Sequence, residues 1–177
     1  PVLSQGLPWN WESYPDYLDA LSQRRFDMDV GSQLPHAALR VYVMGERGVN
    51  REPATPEDIS RMAEIAKAAM LAGAMGFSTS RTLNHRDSEG NPTPTLTAEE
   101  DELVGIAMGL KAANAGALQF VSDFTDAEAE FALMRQMVRK SGRPLSFSLL
   151  QGHVAPDKWR LLLERTAEAN AEGLTIR

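Results

Sequence analysis

The sequence contains no cysteine. That removes disulfide frameworks, thiolate zinc fingers, iron–sulfur ligation and thiol nucleophiles from consideration. It also lacks an excess of positive charge: 18 Lys+Arg stand against 24 Asp+Glu over 177 residues, a formal charge of −6. With a sequence pI of about 5.1, the chain does not fit a general binder of nucleic acid or anionic membrane, because both rely on basic surface for counterion release or headgroup attraction. No window is apolar enough to span a bilayer, and no basic segment followed by an apolar run opens the chain. The expectation is a cytoplasmic globular protein with a small-molecule ligand and neither nucleic-acid nor membrane partners. Pro1 at the start and the strand-like Leu174-Thr175-Ile176-Arg177 at the end look like the cut ends of an excerpt.

Several catalytic signatures are missing too. There is no His-x-His, no His-Glu-x-x-His and no Gly-x-Ser-x-Gly, and Gly45-Glu46-Arg47-Gly48 has too few glycines for a phosphate loop.

What the sequence does have is regular punctuation. Thr55-Pro56-Glu57-Asp58 predicts a helix running to about Leu71, with Thr as N-cap and Pro at the first helical position. Thr97-Ala98-Glu99-Glu100 and Thr125-Asp126-Ala127-Glu128 read as capping boxes that open two more helices, and Pro156-Asp157 opens a fourth. Each ends near a glycine: Gly73, Gly116, Gly142 and Gly173. After each glycine comes a short strand-like run, namely Met75–Thr79, Ala117–Val121, Pro144–Ser148 and Leu174–Ile176, and an earlier run covers Phe26–Gly31. Ser13–Ser22 reads as a short amphipathic helix. Strand followed by helix, repeated, predicts an α/β fold with parallel strands and right-handed crossovers.

The connections are asymmetric. Helix-to-strand links are tight, whereas the strand-to-helix links after Gly31 and Ser80 are long and polar. In parallel α/β folds ligands bind beyond the carboxyl ends of the strands, where such loops converge. His36, His85, His153, Arg40, Arg47, Arg51, Arg81 and Arg86 all fall in strand-to-helix loops on this reading. The richest segment is Ser78–Asp87. In it Arg81 and Arg86 could clamp a substrate carboxylate, Asn84 could contact substrate, and His85 could act as general acid or base. The same groups could instead brace a long loop through its own carbonyls. His36 and Arg40, at the end of the first strand, are candidate substrate contacts. Asp123, at the tip of the third strand, is a candidate base or metal ligand, or alternatively a helix cap. The aromatic group Trp9, Trp11, Tyr14 and Tyr17 reads as core or as a contact between copies of a homo-oligomer.

Three stretches together, Pro8-Trp9-Asn10-Trp11-Glu12-Ser13-Tyr14-Pro15-Asp16-Tyr17-Leu18, His36-Ala37-Ala38-Leu39-Arg40 and Ala72-Gly73-Ala74-Met75-Gly76-Phe77-Ser78-Thr79, resemble the middle of the N-acyl-D-amino-acid deacylases, the D-aminoacylase branch of the amidohydrolase superfamily. The resemblance implies one partial TIM (β/α)8 barrel over residues 1–177, covering about the third to seventh strands. It also implies hydrolysis of a C–N amide bond on a small carboxylate-bearing substrate by zinc-activated water. The family's strand-one histidines and strand-eight aspartate would lie outside this chain. Its fifth-strand histidine falls on Asp123, and its sixth-strand histidine on Leu149 or Leu150. Aspartate can ligate zinc and leucine cannot, so most ligands of an expected zinc site are absent here or substituted. A rival expectation is an inactive barrel that binds an acidic ligand or partner through the same basic loops.

Overall fold

The computed structural model describes residues 9–153 and 155–177. Pro1 and Pro8, on which the excerpt and the first family motif partly rest, lie outside them. The described chain opens with helix α1 (Tyr14–Ser22), continues through β1 (Leu34–Pro35), α2 (His36–Met44), α3 (Glu46–Val49) and α4 (Pro56–Leu71), and then alternates β2 (Gly76–Arg81), α5 (Glu100–Ala113), β3 (Ala117–Ser122), α6 (Ala127–Ser141), β4 (Leu145–Phe147) and α7 (Lys158–Ala171).

The strands form one sheet in the order β1-β2-β3-β4, and every neighbouring pair is parallel. Ile176 extends it by a parallel bridge to Leu145, with Leu145 N donating to Thr175 O at 2.9 Å and Phe147 N to Arg177 O at 3.0 Å. Sequential parallel strands joined by helices are the architecture of part of a (β/α)8 barrel.

The two faces of the sheet differ. In β3 Leu118, Phe120 and Ser122 are buried while Ala117, Gln119 and Val121 are half-exposed. Strand alternation therefore aims the first set at the helices and the second at the opposite face. In β2 the same period puts Phe77, Thr79 and Arg81 on the helix side and Ser78 and Ser80 on the other. The core lies between sheet and helices, where Phe77, Leu118, Phe120 and Leu145 meet Met62, Leu103, Ile106, Met134 and Met137. Helices α4 and α5 approach closely because Gly109 has no side chain: a Cβ there would sit 2.3 Å from the Ala63 carbonyl oxygen.

Four expectations need correction. Phe26–Gly31 is not a strand. Its alternation suits one, but Phe26, Met28 and Val30 are all exposed, and among the described residues the segment pairs with no strand. The first strand is instead Leu34–Pro35, and the long loop expected after it is largely α2 and α3. The helix expected at Thr97 starts at Glu100, because the Thr97 hydroxyl donates to the Arg51 carbonyl at 3.1 Å and caps nothing. At α6 the cap is Asp126, accepting from Ala129 N at 3.0 Å, so Thr125 lies outside the box assigned to it.

Candidate active site

The loop that leaves β2 at Arg81 and reaches α5 at Glu100 is held at many points. Asp87 accepts from the amides of Glu89 and Asn91, both at 2.8 Å, and from Asn91 Nδ2 at 2.9 Å, closing a tight turn. These bonds hold its carboxyl below the usual aspartate range, the Asn91 side chain first among them. Arg86 and Pro92 form an antiparallel bridge, and Thr93 N donates to the His85 carbonyl at 3.2 Å. The returning strand is anchored from outside by Arg51 Nη1 to Pro92 O at 3.0 Å and Arg40 Nη1 to Pro94 O at 2.9 Å. The buried Thr95 hydroxyl donates to Ser80 O at 2.5 Å.

His36 and Arg40 are not on a loop as expected. They lie on consecutive turns of α2, and both are buried, 1% and 0% exposed. His36 bonds Thr79 Oγ1 at 2.9 Å through Nδ1 and Glu102 Oε1 at 2.8 Å through Nε2. Arg40 donates through Nε to the same Glu102 oxygen at 2.8 Å, through Nη1 to Gly48 O and Pro94 O, and through Nη2 to Glu52 O. Burial pushes the His36 imidazole below its ordinary value, against the pull of Glu102. A neutral ring donating Nε2–H to Glu102 and accepting at Nδ1 from Thr79 satisfies every atom. Burial alone would push the Glu102 carboxyl up. Bonds from His36 and Arg40 outweigh it and hold the carboxyl low, and the permanent Arg40 charge is the cause that survives once His36 is neutral.

Arg81 is likewise engaged. Its Nε and Nη2 clamp Glu130 of α6, the shortest contact being 2.8 Å, and Nη1 donates to Ala98 O at 2.5 Å. This pair sits on the helix side of the sheet, beside a cavity of about 380 Å³ lined by Leu83, Leu96, Asp123, Thr125 and Asp126. A larger hollow of about 600 Å³, among Trp9, Trp11, Tyr14, Tyr42 and Arg61, lies away from these loops.

At the carboxyl ends of β2 and β3 the chain gathers a second group. Asp123 accepts from Thr82 Oγ1 at 2.5 Å, Leu83 N at 2.8 Å and Asn84 Nδ2 at 3.4 Å, tying the exits of the two strands together. His85 is exposed and its Nδ1 lies 2.5 Å from Ser80 Oγ. Arg86 is exposed and, among the described residues, spends only Nη1, on Gly90 O at 2.7 Å. Beyond the carboxyl ends of β2 and β3 the chain thus sets Asn84 against Asp123 and His85 against Ser80, with Arg86 next in the loop. Arg81 shares a cavity with Asp123, whereas His36 and Arg40 are buried on α2. His153 is exposed in the stretch after β4.

The metal expectation meets a chemical limit. Three of the roughly four lone-pair sites of the Asp123 carboxylate are taken. Among the described residues no three His, Asp or Glu side chains stand close enough to hold an ion. Leu149 and Leu150, both exposed after β4, offer no ligand atom. The residues present do not make a zinc site.

No sequence signal marks Glu102 or Glu130, and Thr79 and Ser80 lie within the rich segment Ser78–Asp87 without a role assigned to them there. Glu102 stands 66 residues from His36 and Glu130 stands 49 from Arg81. No local spacing announces such pairs. Ser80 carried a signal, since it shares strand parity with Ser78 at the carboxyl end of β2.

The profile of the amidohydrolase family matches residues 4–177. D-aminoacylase of Alcaligenes xylosoxydans xylosoxydans is 35% identical over 78 residues, a match that takes in 44% of this chain and 16% of that protein. No solved structure matches.

Proposed function

The chain belongs to the amidohydrolase family, and from that premise we propose that the protein it forms part of hydrolyses the C–N amide bond of a small carboxylate-bearing substrate such as an N-acyl-D-amino acid. The observation that carries this reading is the placement of an exposed imidazole and an exposed guanidinium on consecutive residues, His85 and Arg86, of a braced loop at the carboxyl end of β2. In parallel barrels that end hosts the chemistry.

Arg86, whose Nε and Nη2 bond no described residue, anchors the substrate carboxylate by paired donors. His85 moves the proton that an amide needs before its nitrogen can leave. Asn84 and Asp123 position the loop, and His36, Arg40 and Arg81 set its height over the sheet from behind. Metal ions are common in this family. The described residues supply none of the clustered ligands, so a zinc centre would need donors from the rest of the protein, and the roles assigned here do not depend on it. We place the enzyme in the cytoplasm as a homo-oligomer in which this chain forms one part of a single catalytic barrel.

The test is amine release by the full-length protein over paired D- and L-forms of N-acyl amino acids, with hydantoins and dihydropyrimidines alongside. Turnover of a carboxylate-bearing amide, with KM raised about tenfold to a hundredfold by Arg86→Ala and little change in kcat, supports the reading. Absence of turnover across the panel defeats it.

A further inference from the structure

We propose that Ser80 and His85 form a nucleophile–base pair, so that the barrel mouth carries a serine able to take an acyl group from an amide or ester. The inference deepens the amide-hydrolase reading and rests on it for the substrate class. It does not rest on it for the reactivity of the serine.

The argument starts from position. Ser80 Oγ and His85 Nδ1 are 2.5 Å apart, the hydrogen-bond reach required of a nucleophile and its base. Ser80 is the next-to-last residue of β2, and strand parity puts its side chain on the face turned away from the helices. His85 reaches the same atom from the loop above and is itself exposed, so a ligand can approach the pair.

Both partners are held in place. The Ser80 carbonyl accepts from the buried Thr95 hydroxyl, the His85 carbonyl accepts from Thr93 N, and Asp123 fixes the intervening turn through Thr82, Leu83 and Asn84. A catalytic constellation needs such bracing, since small misplacements cost large factors in rate. The neighbouring strand adds an amide: Gln119 is paired with Ser78 on the same face, and its carboxamide makes no hydrogen bond to any described residue. It lies diagonally from Ser80, within reach of a side chain that long, and can donate to the oxygen that gains charge.

The chemistry balances without any further reagent but water. As Ser80 Oγ bonds to the acyl carbon, its proton passes to His85 Nδ1. The carbon–nitrogen bond then breaks and that proton goes to the departing amine. A water molecule, giving its proton to His85, attacks the acyl-serine and frees the acid, and His85 returns a proton to Ser80 Oγ.

The test treats full-length protein with a small fluorophosphonate and maps adducts by peptide mass spectrometry, with Ser80→Ala, His85→Ala and Ser78→Ala in parallel. One equivalent on the Ser80 peptide is expected, absent in Ser80→Ala, slowed at least about a hundredfold in His85→Ala and unchanged in Ser78→Ala. A second variant, Ser80→Cys, gives a mapped thiol whose alkylation by iodoacetamide near neutral pH is expected to slow about tenfold or more when His85→Ala is added. No adduct on Ser80 in folded protein, or adduct and alkylation rates indifferent to His85, overturns the pair. Labelling with no turnover on any amide overturns the amide-hydrolase reading and leaves the pair standing.

Discussion

At the scale of single residues, the buried trio His36, Glu102 and Arg40 sets the protein's response to acid. Burial holds His36 neutral, with a folded-state pKa below the ordinary value near 6.5. The unfolded chain then binds a proton that the folded chain refuses, so stability is full above about pH 6.5 and falls as pH drops through that value. Glu102, held low, adds a second loss below the ordinary glutamate range. Urea melts from neutral to mildly acidic pH should show the first loss in the native protein and its absence in His36→Gln, with the glutamate limb retained. Glu102→Ala leaves the Arg40 charge buried without its carboxylate and is expected to cost about 3–5 kcal/mol by the same melts. Residue type and loop position single out His85, Arg86 and Asp123 in the sequence, and in the structure they follow the carboxyl ends of β2 and β3. His36 and Arg40 carried the same composition signal, but their partners are remote in sequence, and only folding shows them turned inward.

At the scale of elements, the sequence period and the glycines located four of the helices and the strands that follow three of them. The caps were less legible, because adjacent Thr and Asp compete for the same amides and tertiary bonds decide between them. Asp126→Ala should therefore destabilise α6 by about 1 kcal/mol, while Thr125→Ala should have little effect, as thermal midpoints of the two variants would show. Close helix contact offers a sharper test. Gly109→Ala places a methyl 2.3 Å from the Ala63 carbonyl oxygen, and backbone cannot swing aside as a flexible side chain does. A loss of about 1–3 kcal/mol is expected, through overpacking and not through helix propensity, which favours alanine there.

At the scale of the whole molecule, helices of the described chain cover one face of the sheet, and Ser78, Ser80, Gln119 and Ser146 turn to the other. Alternation of strand and helix was enough to read that architecture from sequence. The false strand at Phe26–Gly31 shows the limit of a pattern without partners. We propose that the chemistry takes place on this polar face, met at its carboxyl end by a braced loop holding His85 and Arg86. The most direct measurement is kcat/KM of the full-length enzyme and its His85→Ala variant on the best amide of the substrate panel. A fall of about 10²- to 10⁴-fold with the circular dichroism spectrum unchanged is expected of an imidazole that handles the proton. Equal kcat/KM for the two proteins would contradict the account.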